Sequence, residues 1–306
     1  MWGYEEYPFN TTKNYFVSLL SLRYSVIIDK ASPDLLIYSV FGLDHLNYNC
    51  LKICFSGENI PNANPLIKVD HDPSECNLFL GKYPDSFNTI YMPLWVIFIN
   101  WFGEEQPQPL PSNPTFHVQP NLLLNSKARI DQLITQKRGK CCFINNNEIY
   151  DRVKLYLMLS SRIDVDSYGK LYNNQPGGIA LRGSERDKLD VLEKYWLTIA
   201  FENSYYPGYN TEKIIHPFAV GCIPFYNGGL DIRTFNSESL FFLPNYRSYG
   251  HMIDSALSTI SSRSSLLRKL SEPLFVDNKI PDRFLPQAVL SSICDRIDLD
   301  SVATRR

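Results

Sequence analysis

Short apolar runs that break off into polar turns recur along this chain, and they restrict its architecture more than any other feature. They are "YSVIID" at 24–29, "DLLIYSV" at 34–40, "LKICFSGEN" at 51–59, "KCCFINNN" at 140–147, "TIAF" at 198–201 and "CIPFY" at 222–226. Their brevity and their Val, Ile, Tyr and Phe content favour strands over helices. Their unbroken hydrophobicity favours strands covered on both faces, as in a parallel sheet. Between them lie segments with apolar residues at helical spacing: "NYFVSLLSLR" at 14–23, "RVKLYLMLSSRI" at 152–163 and "DKLDVLEKYWL" at 187–197. That alternation specifies an α/β fold. Farther on, "ALSTISSRSSLLRKL" at 256–270 reads as a single amphipathic helix with a serine-rich exposed face.

A chain of 306 residues exceeds what one hydrophobic core usually supports, so two domains are expected. The proline-rich text "EEQPQPLPSNPTFHVQP" at 104–120 reads as a surface loop, and the boundary is placed near residue 135. The domains are then 1–135 and 136–306, with the last helix packing back on the first. A formal charge of −2 argues against a nucleic-acid partner, which normally requires a basic excess. Seven cysteines, with no C-x-x-C and an adjacent pair at Cys141-Cys142, read as free thiols of a reducing compartment. There is no signal-peptide pattern and no apolar stretch that could span a bilayer. The expected location is cytoplasmic, or that of a soluble catalytic body lacking its anchor, and peripheral membrane association stays open.

One corner concentrates polar chemistry. In "FENSYYPGYNTEKII" (201–215) an apolar strand stops at Glu202 and Asn203, a tyrosine-rich loop turns at Pro207-Gly208, and Thr211-Glu212-Lys213 opens a helix. The first N–H groups of a helix lack partners and carry positive potential, which makes such a corner an anion site. In open α/β sheets ligands bind at the carboxyl ends of strands, where this corner falls. Lys213 opposes the helix dipole at a cost of about 0.3–1 kcal/mol. The residues alone leave open whether it extends into solvent or meets a bound phosphate. Glu202 and Asn203 are either turn residues or groups aimed into a cleft. Tyr205, Tyr206 and Tyr209, set in a Pro/Gly loop, are either core or ligand-stacking groups. Pro217 is expected to kink or shorten the helix, and Gly221 to end it.

The block "AFENSYYPGYNTEKI", followed by "AVGCIPFYNGG", resembles the donor-site signature of the α-1,3-fucosyltransferases. Upstream, "YLMLSSRIDVDSYGKLYNN" (156–174), "FSGENIPN" (55–62) and "IYMPLW" (90–95) are similar to that family's other segments, in the same order. The arginine that often precedes the family's Met-Pro pair is absent from "NTIYMP". The resemblance implies a GT-B glycosyltransferase: two facing Rossmann-like domains with the active site in the cleft between them. The N-terminal domain would bind the acceptor and the C-terminal one GDP-fucose. It implies that Glu58 is the general base, that Arg152 and Lys213 contact the diphosphate, and that Tyr209 and Glu212 contact the donor, Glu212 at the ribose. Asn203 would line the same pocket. The reaction would be an inverting transfer of L-fucose to a hydroxyl, O3 of N-acetylglucosamine in an acceptor such as N-acetyllactosamine. No cofactor is required, although Mn²⁺ or Mg²⁺ can stimulate by assisting the leaving diphosphate.

Two rivals stand beside this reading. A metal-dependent transferase would use a D-x-D motif, and "DHD" at 70–72, "DVD" at 164–166 and "DLD" at 298–300 all fit the pattern. Three copies in unrelated contexts are better explained as surface acids, and His71 with Asp70, Asp72 and Glu75 as a solvated loop rather than a metal set. The second rival is a sugar- or nucleotide-binding protein without catalysis, which would have no use for a base at Glu58.

Overall fold

A computed structural model describes residues 11–40, 42–58, 75–81, 86–103, 118–134, 137, 139–175 and 185–303. The chain divides into two compact units, 1–113 together with 281–306, and 114–280. The boundary expected near residue 135, the DHD triad, residues 59–62 of the second motif and most of the proline-rich loop lie outside the described residues.

The first unit contains a four-stranded parallel sheet in the order β1-β2-β3-β4: β1 (Leu35–Ser39), β2 (Leu51–Phe55), β3 (Leu78–Gly81) and β4 (Thr89–Tyr91). The ends of β1 and β2 are registered by Ser39 opposite Phe55. Leu78, Leu80, Ile53 and Phe55 are almost completely buried, as expected of a sheet covered on both faces. Helix α1 (Tyr15–Leu20) starts at Asn14, whose side chain accepts from the Phe16 and Val17 amides. The unit's C-terminal segment contributes Phe284, packed edge-on against Trp95 at 4.9 Å.

The run Tyr24–Asp29, expected as a strand, is irregular backbone with Ile27 70% exposed. Tyr24 N donates to Leu20 O, continuing the turn that ends α1, and Asp29 accepts from the Ala31 and Ser32 amides in a side-chain turn just past the run.

The second unit has a five-stranded parallel sheet in the order β6-β5-β7-β8-β9: β5 (Gly139–Ile144), β6 (Val165–Tyr168), β7 (Tyr195–Ile199), β8 (Ile223–Tyr226) and β9 (Phe241–Phe242). Helix α2 (Lys127–Ile134) precedes this sheet in the chain. Helix α3 (Tyr150–Ser160) links β5 to β6, α4 (Glu185–Leu192) precedes β7, and α5 (Glu212–Ala219) links β7 to β8. Side chains alternate across the sheet with period two. Cys141, Phe143, Leu197, Ile199, Ile223 and Phe225 share one buried cluster with Leu155 and Leu159 of α3 and with Met252, Ile253 and Ala256 of α6 (Tyr249–Ser261). Cys142 and Thr198 point to the other face, the side of α4 and α5.

Tyr195 and Trp196 belong to strand β7 rather than to the preceding helix, because their backbone pairs with β5 from Gly139 onward. Residues 256–270 form two helices rather than one. The break is at Ser262, whose extended backbone ends α6 and whose hydroxyl accepts from the Ser265 amide to start α7 (Arg263–Ser271). Later in the chain α8 (Pro286–Cys294) and α9 (Asp300–Ala303) belong to the first unit. In that unit α8 packs on α1, and Asp300 of α9 accepts from Arg23 at 2.5 Å and from the Tyr24 hydroxyl at 2.8 Å.

Candidate functional site

The strand order of the second unit fixes where a ligand should lie. From β5 the chain first moves outward to β6, then crosses back and continues through β7, β8 and β9 on the other side. Connections from β5 and β7 therefore leave in opposite directions, and the crevice at their carboxyl ends is the switch point at which open α/β sheets bind ligands. A cavity of about 280 Å³ occupies that position. Its walls include Asn145, Asn146 and Asn147 after β5, Phe201 and Asn203 after β7, Arg152 from α3, Lys188 from α4, and Glu212 and Lys213 from the first turn of α5.

Arg152 is 5% exposed and ties the two strand ends together. Its Nε and Nη2 donate to the Phe201 carbonyl at 2.8 and 2.6 Å. Nη1 donates to Asn145 Oδ1 at 2.9 Å, and Nη2 also to Asn203 Oδ1 at 2.5 Å. A guanidinium has five N–H donors in a rigid fork, so one Nη1 hydrogen is left for a ligand in the cavity. Burial lowers the Arg152 pKa, opposed by the nearby Glu202, Glu212 and Tyr209. The sequence-level view of Arg152 as a phosphate contact missed this second job, because nothing in the sequence shows which carbonyl an arginine will hold.

The corner loop is held by Glu202, whose side chain is 0% exposed. Its carboxylate accepts from the Thr211 amide at 2.9 Å, from the Thr211 hydroxyl at 2.8 Å and from the Tyr226 hydroxyl at 3.0 Å. Of the two readings open for Glu202, the turn residue is the one realised: it is a buried latch behind the cavity. Asn210, also fully buried, donates to the Tyr226 hydroxyl at 2.9 Å and accepts from the Asp231 amide at 3.2 Å. The loop then passes directly over the glycine pair after β8. Gly208 N donates to Gly229 O at 2.7 Å, and a Cβ on Gly229 would sit 1.7 Å from the Tyr206 carbonyl oxygen. That close approach is why the text reads "YNGG" there.

Helix α5 begins at Thr211, whose hydroxyl accepts from the Lys213 amide at 3.4 Å. It ends in a Schellman turn: Gly221, at φ +67°, donates to Phe218 O, and Cys222 donates to Pro217 O. Pro217 leaves the helix only eight residues long, the shortening expected of it. Lys213 does not extend into solvent. Its Nζ lies 3.3 Å from Glu212 Oε1, 3.5 Å from Glu202 Oε2 and 3.1 Å from Thr211 Oγ1. These oxygens offset its unfavourable place at the positive helix end. Burial disfavours the charged form of Glu212, but Lys213 and Lys188 outweigh it and hold the carboxyl well below its ordinary range.

Of the expected donor residues, Arg152, Asn203, Glu212 and Lys213 thus converge on one cavity wall. Tyr209 is buried within the loop at 4% exposure and is not among the lining residues, while Tyr205 is 69% exposed. Lys188 also lines the cavity, although nothing in the residue pattern distinguishes it from the rest of the polar face of its helix. Glu58 belongs to the first unit, three residues beyond β2 and partly buried, with the Ser56 hydroxyl donating to its backbone carbonyl at 3.2 Å. Two of the D-x-D triads have structural partners. Asp166 accepts from the Tyr195 hydroxyl at 2.6 Å, and Asp298 accepts from the Ser301 amide while Asp300 holds Arg23 and Tyr24.

Comparison with known proteins reaches the same corner. A profile described as "Alpha-(1,3)-fucosyltransferase FucT N-terminal domain" matches residues 4–98. A second, "Glycosyltransferase family 10 (fucosyltransferase) C-term", matches residues 134–274, which contain the cavity. The chain belongs to the family-10 fucosyltransferases. A Helicobacter pylori relative, "Alpha-(1,3)-fucosyltransferase FucT", is 27% identical over 281 residues, covering 83% of this chain and 54% of its own length. A Danio rerio relative, "GDP-fucose protein O-fucosyltransferase 3", is 32% identical over 102 residues, 31% of this chain and 22% of that protein. The chain spans about half or less of the length of these curated relatives. A crystal structure of an α1,3-fucosyltransferase with GDP superposes with a TM-score of 0.65 at 20% identity, covering 95% of this chain and 85% of that one. The fold of this family-10 chain is accordingly the two-domain Rossmann-like GT-B fold. Among the described residues no helix is long and apolar enough to cross a membrane.

Proposed function

We propose that this chain transfers L-fucose from GDP-fucose to a glycan hydroxyl, O3 of N-acetylglucosamine in an N-acetyllactosamine-type acceptor, with inversion at the anomeric carbon. The observation that carries the reading is the switch-point cavity, where Arg152, Lys188, Lys213 and the N-terminus of α5 gather positive potential around a space lined by hydrogen-bonding side chains. A sugar nucleotide asks for that combination. The diphosphate needs cations and free N–H groups, and the ribose needs an ionised carboxylate such as Glu212. The H. pylori relative is named an α-(1,3)-fucosyltransferase, and the superposed structure contains GDP, which supports the donor class.

In this reading the acceptor hydroxyl attacks the anomeric carbon of fucose as Glu58 takes its proton, and the bond to the β-phosphate oxygen breaks. General-base help of this kind contributes about 10²–10⁴ in rate. Negative charge grows on the departing GDP and is met by Lys213, by the remaining Nη1 donor of Arg152 and by the positive end of the α5 dipole. Asn203 lines the donor pocket, and Tyr209 supports the loop that presents these groups. Metal is not required for this departure, so turnover should survive excess chelator. A non-catalytic binder would take up GDP-fucose and make no product.

The test is transfer from labelled GDP-fucose to an array of glycans that includes serine and threonine peptides, with Glu58→Ala run in parallel. Product on N-acetyllactosamine from the wild type, and donor binding without product from the variant, is the expected pair of results. Transfer to peptides alone would move the acceptor assignment. Near wild-type turnover by Glu58→Ala would remove the base.

A further inference from the structure

Lys188 adds to the positive potential of the cavity wall but takes no part in the reaction steps above, and its ammonium is committed to a carboxylate. Its Nζ is 3.2 Å from Glu212 Oε1, the same oxygen that Lys213 Nζ approaches at 3.3 Å. The three side chains are only 13–21% exposed, so water screens them weakly. Lys213 is also 3.5 Å from Glu202 Oε2, so it is shared between two carboxylates, whereas Lys188 adds a second ammonium at Glu212. The arrangement becomes intelligible once a diphosphate is added. Lys213 sits at the helix start beside Thr211 and can turn to the phosphates, while Lys188 reaches Glu212 from a different helix, α4.

We propose that Lys188 is a positioning residue, the standing counter-ion of Glu212, which keeps that carboxylate ionised and in place when Lys213 leaves it for the donor's diphosphate. The inference rests on the donor reading above. Without Lys188, docking the donor would strip Glu212 of its last close lysine and bring two more negative charges near it. A partly buried carboxylate in that position takes up a proton instead of staying charged. The other charged or titratable groups around Glu212 are His216 and Lys213 of α5, Arg152 of α3 and Glu202 of the corner loop. All are present in wild type and variant alike, so the comparison isolates Lys188.

The probe is GDP-fucose itself, whose diphosphate is a diester and does not titrate between pH 6 and 8. Calorimetric binding is measured for wild type, Lys188→Met and Lys188→Arg at both pH values, in buffers of different ionisation enthalpy. Lys188→Met should bind the donor about tenfold more weakly at pH 8 and only about twofold more weakly at pH 6, with net proton uptake. Lys188→Arg should stay within about threefold of wild type at both pH values, since it restores the charge. In a Glu212→Gln background, with no carboxylate to hold, adding Lys188→Met should change affinity by less than about twofold. Where the Met variant melts early, Lys188→Gln replaces it. Equal affinities in wild type and Lys188→Met, or equal weakening at both pH values without proton uptake, overturns the assignment and leaves the donor reading standing. A wild type that does not bind GDP-fucose at all removes both.

Discussion

Substituting Glu202 is the sharpest test of how this site is built. The carboxylate lies behind the cavity, is closed to solvent, and accepts hydrogen bonds from Thr211 N, Thr211 Oγ1 and the Tyr226 hydroxyl, with the Lys213 ammonium 3.5 Å away. Glu202→Ala removes an acceptor from three donors that have no water to turn to, and takes a carboxylate from Lys213. Each buried donor left unsatisfied costs about 1–3 kcal/mol, and breaking a buried charged cluster typically costs about 3–5 kcal/mol in all. Glu202→Gln keeps the volume and one carbonyl oxygen for Thr211 N, and the two hydroxyls can reorient, so about 1–2 kcal/mol is expected. A unit of this size loses about 2–4 °C of Tm per kcal/mol, which puts the Ala variant about 10 °C below wild type and the Gln variant a few degrees below. Guanidinium unfolding with thermal scans measures both. An Ala variant within 1 kcal/mol of wild type would refute the reasoning, because it would mean that the corner does not depend on the latch.

Other outcomes follow from the same geometry. Gly229→Ala puts a methyl 1.7 Å from the Tyr206 carbonyl and should displace the loop, lowering the yield of folded protein or abolishing GDP-fucose binding; a well-folded variant with wild-type affinity would contradict the close approach. Lys213→Ala should weaken donor binding or slow turnover while leaving the melting temperature within a few degrees, whereas Arg152→Ala should lower both, since Arg152 also ties Asn145 to Phe201. Equal melting temperatures for the two variants would show that the Arg152 bonds contribute no stability. Glu212 has a depressed pKa, so its contribution to stability is present above the ordinary carboxylate range and disappears as pH falls through its folded value. Urea midpoints taken from pH 7 down to pH 3 should therefore fall less steeply for Glu212→Gln than for wild type. Parallel curves would sink that assignment.

The parts legible from sequence were those dictated by local rules. Unbroken apolar runs gave β1, β2, β5, β7 and β8, and Gly221 after a proline-shortened helix gave the end of α5. What escaped was decided by partners far along the chain. Strand β6, "VDSY", is half polar and has no apolar run to announce it; it is a strand because β5 pairs with it from Cys141 to Ile144, and because Asn174 accepts from the Ser167 amide at 2.7 Å. Tyr24–Asp29 had strand composition, but its first amide is taken by Leu20 O and a side-chain turn at Asp29 follows the run directly. Periodicity cannot weigh either effect, since it counts side chains and not where backbone donors go.

The same distinction explains the site. Family likeness named residues expected to touch a ligand, and four of the five expected donor residues line the same cavity. It was silent on those that hold the wall up. For Glu202 the residues left a turn residue and a group aimed into a cleft both open; the turn is the one realised, and its carboxylate, 3.5 Å from Lys213 Nζ, makes that turn a determinant of where a cation sits. Arg152 was expected to point at phosphate, yet most of its donors hold the ends of β5 and β7. Preorganisation has this character: a group aimed at developing charge is effective only if its other bonds are already made. A substitution at Arg152 or Glu202 therefore reports on folding and ligand binding together. Lys188 and Lys213, tethered by side-chain contacts alone, are where the electrostatics can be changed while the fold is kept.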